Sequence, residues 1–544
     1  MRVLLINTPY PFSEHPTLPV GLMSIAACLE QASSQVEVLD LLLTHYLPLK
    51  IEEKLRLYKP QIIGITSVTM NFLQASQIIR FCKEIDPEVI TVIGGPHVTF
   101  TVEQTLRENP WIDIVIRGEG EETMVELIGV LEKGDRDMLD SIPGLAFIKD
   151  NQIVITPPRP FLTDVNSLPR PASHLFPLAR YRALQAGFSI LTGRGCPFNC
   201  IFCVGHKMVG KTGRYRDPVL VVDEIEDACN YGFGLICIED DLFTLNHRHV
   251  YAICDEILKR KLTVSWSVFA RVDTINKPLL VKMKEAGCEN ILFGVESGNQ
   301  EILDIIKKKT SLDKIRRAVD LCKAVGIDVF ASFIIGLPGE TRQTLKATAE
   351  FARELGSYYG FHVLTPFPGT EIRDKAAEYG LNILSYNWED YNADIPITET
   401  PGAKPGDIGQ HLADYFAAIE IYSKYQEEAM QKGSLDPKEV RQVENRQTRS
   451  VVWELLSRDL VEELGQIKLP GGLPDDEWSQ KELIKRLVPS MPLSEEIIKK
   501  ELDRLINQGI LLQEIKDGEG RWRWSNNNEL KGNSIKAPIL SSVQ

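Results

Sequence analysis

Three cysteines at C-x3-C-x2-C spacing, Cys196, Cys200 and Cys203, share one short loop, Cys196-Pro197-Phe198-Asn199-Cys200-Ile201-Phe202-Cys203. Soft thiolates this close in sequence can hold three irons of a [4Fe–4S] cluster, which leaves the fourth iron open to another molecule. A structural zinc site would instead close with a fourth Cys or His, and His206 keeps that alternative open. Further strings able to do chemistry follow downstream, each after an apolar run. They are Glu239-Asp240-Asp241, Arg271-Val272-Asp273, Gly294-Val295-Glu296-Ser297-Gly298, Gly336-Leu337-Pro338-Gly339-Glu340-Thr341 and Thr365-Pro366-Phe367-Pro368-Gly369-Thr370.

The elements that must position these strings alternate strand and helix. The cysteine loop follows Ser189–Leu191 and the turn Thr192-Gly193-Arg194-Gly195. Strands are then expected at Leu235–Glu239, Thr263–Ala270, Asn290–Val295, Asp328–Ile335 and Gly360–Leu364. Six such βα units predict a partial (β/α)6 TIM-like barrel, whose functional groups belong at the strand carboxyl ends.

Ahead of the barrel, short β-branched runs at Val3–Ile6, Val36–Leu39, Ile62–Thr66, Val89–Ile93 and Ile112–Ile116 alternate with helical stretches. Continuous apolar strands of this kind predict a doubly wound parallel sheet of the flavodoxin or Rossmann type, with ligands beyond the strand carboxyl ends. The turns there are Asn7-Thr8-Pro9-Tyr10-Pro11, Thr66-Ser67-Val68-Thr69, Gly94-Gly95-Pro96-His97 and Arg117-Gly118-Glu119-Gly120-Glu121. No G-x-G-x-x-G follows the first strand, which removes the usual dinucleotide fingerprint. His97 is either a turn histidine satisfied by its neighbours or a ligand.

Bulk properties narrow the function classes. The net charge is −14, which opposes binding to nucleic acid or an anionic membrane, since either needs a basic footprint. With 43% hydrophobic and 25% charged residues the composition is that of a soluble globular chain. Outside the triad the cysteines are scattered, and none follows Cys322. They read as small buried residues in a reducing compartment, without an auxiliary cluster. No signal-peptide layout and no membrane-length apolar run is present, so a cytoplasmic location is expected.

The C-x3-C-x2-C loop is the signature of the radical SAM superfamily, and the five strand-end strings resemble that family in order. The resemblance implies that S-adenosylmethionine (SAM) chelates the open iron. It is then cleaved reductively to a 5′-deoxyadenosyl radical, with an electron donor such as flavodoxin or ferredoxin. It also implies that Asp240 or Asp241 holds the SAM ammonium, that Arg271 meets its carboxylate, that Glu296 and Ser297 bond ribose or amino groups, and that the Gly336 backbone lies beside adenine. Each has a plainer reading: a helix-entry acid, a surface ion pair, a helix cap. Gly294 would let the ligand close in. Arg214 and Arg216 face either the cofactors or solvent, and Phe202 packs beside the cluster.

Residues 1–140 resemble the cobalamin-binding domain that precedes many radical SAM domains. On that resemblance Thr8, Pro9, Ser67, Gly94, Gly95, Gly118, Glu119 and Gly120 contact the corrinoid. One departure stands out: D-x-H-x-x-G, whose histidine ligates cobalt, is missing, because Asp40 and His45 are five apart.

The organisation expected is therefore a cobalamin-binding-like domain (1–140), a linker (141–185), a radical SAM core (186–400), a helical extension (401–470), a winged-helix-like domain (471–527) and a disordered tail (528–544). The function implied is a cobalamin-dependent radical SAM enzyme that methylates an unactivated centre of a small-molecule or peptide substrate. A non-methylating cyclase, oxidase or rearrangement enzyme is the rival within the class, and a cobalamin-sensing regulator the rival outside it.

Overall fold

The structure, a computed structural model, describes residues 1–9, 16–468, 476–516 and 519–532. Tyr10 and Pro11 of the first turn, the Asp517-Gly518 hairpin turn and the tail beyond residue 532 lie outside the described residues.

The first sheet contains β1 (Arg2–Asn7), β2 (Gln35–Asp40), β3 (Ile62–Thr66), β4 (Ile90–Gly94), β5 (Ile114–Ile116), β6 (Leu145–Lys149) and β7 (Gln152–Ile155), in the order β2-β1-β3-β4-β5-β6-β7. β1 to β5 run parallel, and both faces of the sheet are covered. Val3 and Leu5 enter one core with Met23, Ala26 and Leu127, whereas Leu4 and Ile6 enter a second with Ile51, Ile78 and Leu106. Burial on both faces is why these strands read as unbroken apolar runs. The hairpin β6–β7, expected in the linker, instead extends this sheet, with β6 antiparallel to β5.

The second sheet is the barrel. β8 (Phe188–Ile190) is followed by a two-residue antiparallel pair, β9 (Gly193–Arg194) with β10 (Arg214–Tyr215). Then come β11 (Leu235–Ile238), β12 (Ser265–Ala270), β13 (Cys288–Glu296), β14 (Asp328–Ile335) and β15 (Tyr358–Val363). The order β15-β14-β13-β12-β11-β8 is parallel throughout, a six-stranded open barrel. β13 bulges between Gly294 and Glu296, and Glu296 takes a left-handed φ of 68°. A non-glycine residue holds that region only where its surroundings over-determine it.

After β15 the chain crosses back through β16 (Asn382–Ile383) and β17 (Thr398–Glu399). Between them Trp388, Tyr391 and Ile397 bury into the second core of the first sheet. The two units therefore share a core as well as a linker.

The C-terminal part is helical, with long helices at Pro405–Gln431 and Pro437–Ser457. Helices Asp476–Leu487 and Glu495–Asn507 then pack beside β18 (Gln466–Lys468), β19 (Leu511–Lys516) and β20 (Glu519–Trp524), an antiparallel sheet ordered β18-β20-β19. Ser494 caps the second of these helices by accepting from the Ile497 N–H at 3.4 Å. The start of the expected tail is ordered: Asn527–Gly532 is helical, and Asn527 Nδ2 donates to the carbonyls of His174 and Phe176 at 2.9 Å. Among the described residues no helix is long and apolar enough to cross a membrane.

Candidate active site

β8 ends in the turn that delivers the cysteines, and Asp240 fixes that turn. Its carboxylate accepts from Thr192 N–H at 2.6 Å, Thr192 Oγ1 at 2.5 Å and Gly193 N–H at 3.1 Å. Burial drives its pKa up to about 7 against these three donors. Asp240 thus anchors the loop, and its neighbours Glu239 and Asp241 are the acids that line the adjoining cavity.

On the loop Cys200 is buried, Cys196 half-buried and Cys203 exposed. Gly205 N–H points at Cys203 Sγ at 3.3 Å, and Arg271 Nη1 lies 3.9 Å from Cys200 Sγ. Burial raises the Cys196 and Cys200 thiols, while Lys308 and Arg271 draw Cys200 back down. Three thiols on one loop with cationic donors around them fit a cluster held by three thiolates. Among the described residues no group of three or more His, Cys, Asp or Glu is arranged to hold a single metal ion.

Arg271 makes the ion pair that its sequence neighbourhood suggested, with Nε and Nη2 each 2.9 Å from Asp273. Nη2 also donates to Lys308 O at 2.5 Å, and the guanidinium stacks 3.6 Å from the Phe198 ring centre. Its place beside the cysteine loop is kept, but most of its donors are engaged within the protein. Glu296 likewise takes a buried partner, Lys308 Nζ at 2.6 Å. The room left by Gly294 is filled by that pair, since a Cβ there would meet Glu296 Oε1 at 2.5 Å. Ser297 is fully buried against Thr348, whose Oγ1 is 3.3 Å away. Ser297 thus packs within the protein at this strand end. Lys308 was illegible in the sequence because it sits in the run Lys307-Lys308-Lys309, which reads as a solvated face.

The Gly336 turn is also committed internally. Glu340 Oε2 accepts from the Gly336 and Leu337 N–H groups at 2.5 and 3.1 Å, and the space at the Gly336 α-carbon is met by Ile408 at 3.1 Å. Thr341 caps the following helix, as its plainer reading had it. Burial raises Glu340 from 4.5 to about 8. A carboxyl raised in the fold keeps its proton there, so its stabilisation is complete below about pH 4.5 and is lost as pH rises through about 8. Glu340→Gln should flatten this dependence. Urea unfolding at about pH 5 and about pH 9 should show wild type losing on the order of a few kcal/mol more than the variant over that span.

The cavity lies between the two sheets' carboxyl ends and measures about 350 Å3. Gly94, Gly95, Gly118, Glu119 and Gly120 line it from the first unit, and Arg194, Met208, Val209, Glu239 and Asp241 from the barrel. A Cβ added at Gly21 or Gly118 would meet nothing within 4 Å, so these positions keep the cradle open. Gly95 has a φ of 108° and passes so close to Ser67 that a Cβ would lie 2.3 Å from its carbonyl oxygen. Ser67 Oγ is buried without a partner. Glycine backbone and apolar walls fit part of a large, amide-rimmed ligand such as a corrinoid. Thr8, Pro9 and Ser67 are not among the residues that line it. Thr8 Oγ1 bonds Thr66 O at 3.3 Å and Asn71 Nδ2 at 2.7 Å.

Glu119 has a second role that the sequence did not disclose. It accepts from Arg214 Nη1 and Nη2 at 2.9 Å each, from Arg194 Nη1 at 3.0 Å and from Leu162 N–H at 3.0 Å. Arg194 reaches on to Glu121 at 2.5 Å. Burial pushes the Glu119 carboxyl up, but these donors together hold it below its usual value. Arg214 thus bridges the units, while Arg216 pairs with Glu224 on its own side. His97 is a packing histidine. Its ring stacks 4.2 Å from Phe72, Nδ1 lies 3.2 Å from Thr69 Oγ1, and burial lowers it to about 3. Asp40, the residue left from the incomplete cobalt motif, binds Asn7 Nδ2 at 2.9 Å and Tyr181 OH at 2.7 Å.

Comparison with known proteins places two families on these two units. The profile of the Radical SAM superfamily matches residues 190–352, and that of the B12 binding domain matches residues 13–128. The uncharacterized methyltransferase PH0819 of Pyrococcus horikoshii is 37% identical over 406 residues, 73% of this chain and 87% of that protein. The anaerobic magnesium-protoporphyrin IX monomethyl ester cyclase of Rubrivivax gelatinosus is 32% identical over 369 residues, 66% of this chain and 65% of that one. Among solved structures, TsrM from Kitasatospora setae with cobalamin and [4Fe–4S] cluster bound aligns with a TM-score of 0.64 at 19% identity, covering 93% of this chain and 99% of that one. OxsB with aqua-cobalamin and S-adenosylmethionine bound gives 0.67 at 17%, covering 98% of this chain and 83% of that one.

Proposed function

The chain belongs to the radical SAM enzymes that carry a B12-binding domain, and from that premise we propose that it transfers a methyl group to an unactivated centre of a small-molecule or peptide substrate. One observation carries the reading: the stretch just after the cysteine triad, Met208 and Val209, and the glycine cradle of the first unit border the same cavity. The cofactors supply a radical and a methyl group. The chain's own contribution is placement. Cys196, Cys200 and Cys203 would hold the cluster, with Arg271 and Lys308 balancing thiolate charge. Gly94, Gly95, Gly118 and Gly120 would admit the corrinoid. Glu239 and Asp241 line the shared cavity, where a carboxylate can take a proton or accept hydrogen bonds from an ammonium group.

The methyltransferase from Pyrococcus horikoshii favours methylation, and the Rubrivivax gelatinosus cyclase favours the rival ring-forming outcome. The products decide. The enzyme is purified anaerobically with cobalamin supplied, then given SAM and a strong reductant. About four irons and one cobalt per chain, with both 5′-deoxyadenosine and S-adenosylhomocysteine formed, support methyl transfer. 5′-Deoxyadenosine without S-adenosylhomocysteine would move the assignment to the non-methylating class. Cobalamin bound with no SAM cleavage would leave a sensor.

A further inference from the structure

A second cavity opens at the rim of the barrel, between Thr99–Gln104 of the first unit and the Pro368-Gly369 turn after β15. It measures about 450 Å3. Its acids are already matched: Glu103 pairs with Arg107 at 3.0 Å, and Asp374 with Lys207 at 3.6 Å. Its arginine is not. Arg373 makes no ion pair among the described residues, although it is only partly exposed.

The surroundings of Arg373 fix its orientation and leave one edge unused. Nη1 donates to Pro366 O at 3.0 Å and to Tyr391 OH at 2.7 Å. The guanidinium lies 5.0 Å from the Trp388 ring, 5.4 Å from Tyr391 and 5.7 Å from Tyr386. Nε and Nη2 have no acceptor among the described residues, and neither is sealed away from solvent. That edge is the paired donor geometry a carboxylate or phosphate engages in a fork. Phe100 and Trp388 give the cavity apolar walls beside it. Lys207, on the helix that follows Cys203, donates to Gly369 O at 2.5 Å and so ties this rim to the cluster loop.

We propose that Arg373 anchors an oxyanion of the substrate, a carboxylate or a phosphate-type group carried on an apolar or aromatic body. The inference rests on the proposed function only for the word substrate; the anion site itself stands on the geometry. Anionic small molecules are then the substrate class.

Calorimetry on the holoenzyme, loaded with cobalamin and SAM, tests this with three probes: benzoate, phenylphosphonate and benzylammonium. Benzoate and phenylphosphonate should bind at least about tenfold more tightly than benzylammonium, and Arg373→Gln should lose about tenfold or more of that affinity. Preference between the two anions tells carboxylate from phosphate. Gln104→Glu puts a negative charge on the cavity wall without disturbing the Arg373 ring contacts. It should weaken both anions as well, and it decides the matter if Arg373→Gln fails to fold. Equal binding of benzylammonium, or anion binding that neither variant changes, overturns the proposal. So does binding seen only before SAM and cobalamin are loaded, which would give the site to a cofactor oxyanion. SAM cleavage by wild type, measured without probes, reports separately on the proposed function.

Discussion

Cys203→Ala should purify with its fold intact and almost no iron, and its yield of 5′-deoxyadenosine should fall by more than about 100-fold, the upper range for changes that merely touch a metal's supporting shell. The three thiols sit on one loop and no other cysteine is placed to substitute, because the remaining seven are scattered through the two units. Cys203 is exposed, so its removal opens no core cavity and should leave the unfolding midpoint close to wild type. Iron and sulfide analysis, the charge-transfer absorbance of the reconstituted protein and product chromatography read the result together. Cys237→Ala, reconstituted in parallel, should retain its iron. A Cys203→Ala protein that keeps full iron and still cleaves SAM would remove the cluster assignment.

The largest stability effect is expected at Glu119. Its side chain is 11% exposed, and those of Arg194 and Arg214 are 13% and 9% exposed. Glu119→Gln takes from Arg194 and Arg214 the carboxylate they share and leaves Glu121 and Asp241 to balance the two guanidinium groups. Breaking a buried pair by removing one partner costs about 3–5 kcal/mol. Urea unfolding should show that loss, and cobalamin affinity should fall with it, because Glu119 also lines the cradle. Replacing both partners, Glu119→Gln with Arg214→Met, should recover part of the stability, as no lone charge then remains. The depressed Glu119 carboxyl fixes the pH sign. Its stabilisation is present above its unfolded value and is lost as acid protonates it, so the interface should loosen first on the acid side.

Much of the architecture was legible because parallel strands announce themselves. β1, β3 and β14 fall where their apolar runs predicted, and the cysteine loop follows β8 as expected. The helix Pro48–Tyr58 escaped notice for a physical reason. It buries only Ile51 and Leu55, while Leu49 and Leu57 are 72% and 70% exposed, so no broad stripe marks it. The strand-end strings were legible, but their partners within the protein were not. Asp240, Glu296 and Ser297 read as ligand contacts because polar residues at strand ends face a barrel mouth. Within the protein each meets a neighbour, Thr192, Lys308 and Thr348 respectively. Those partners lie up to roughly fifty residues away, a distance no local pattern encodes. Which of the consecutive acids Glu239, Asp240 and Asp241 faces the cavity is set by the turn after β11, which ends at Ile238.

Trp388, Tyr391 and Ile397 complete the second core of the first sheet. The last strand of that sheet ends at Ile155, so the residues that close its core leave the ribosome only after the whole barrel has been made. At synthesis rates of about 5–20 residues per second, this interval is roughly 10 to 50 seconds. Throughout it the nascent corrinoid-binding unit presents Phe72, Val98 and their neighbours with a gap where an indole belongs. The first unit is thus begun before the barrel and finished after it, and the period in which it invites chaperones or misassociates is written into the order of the chain.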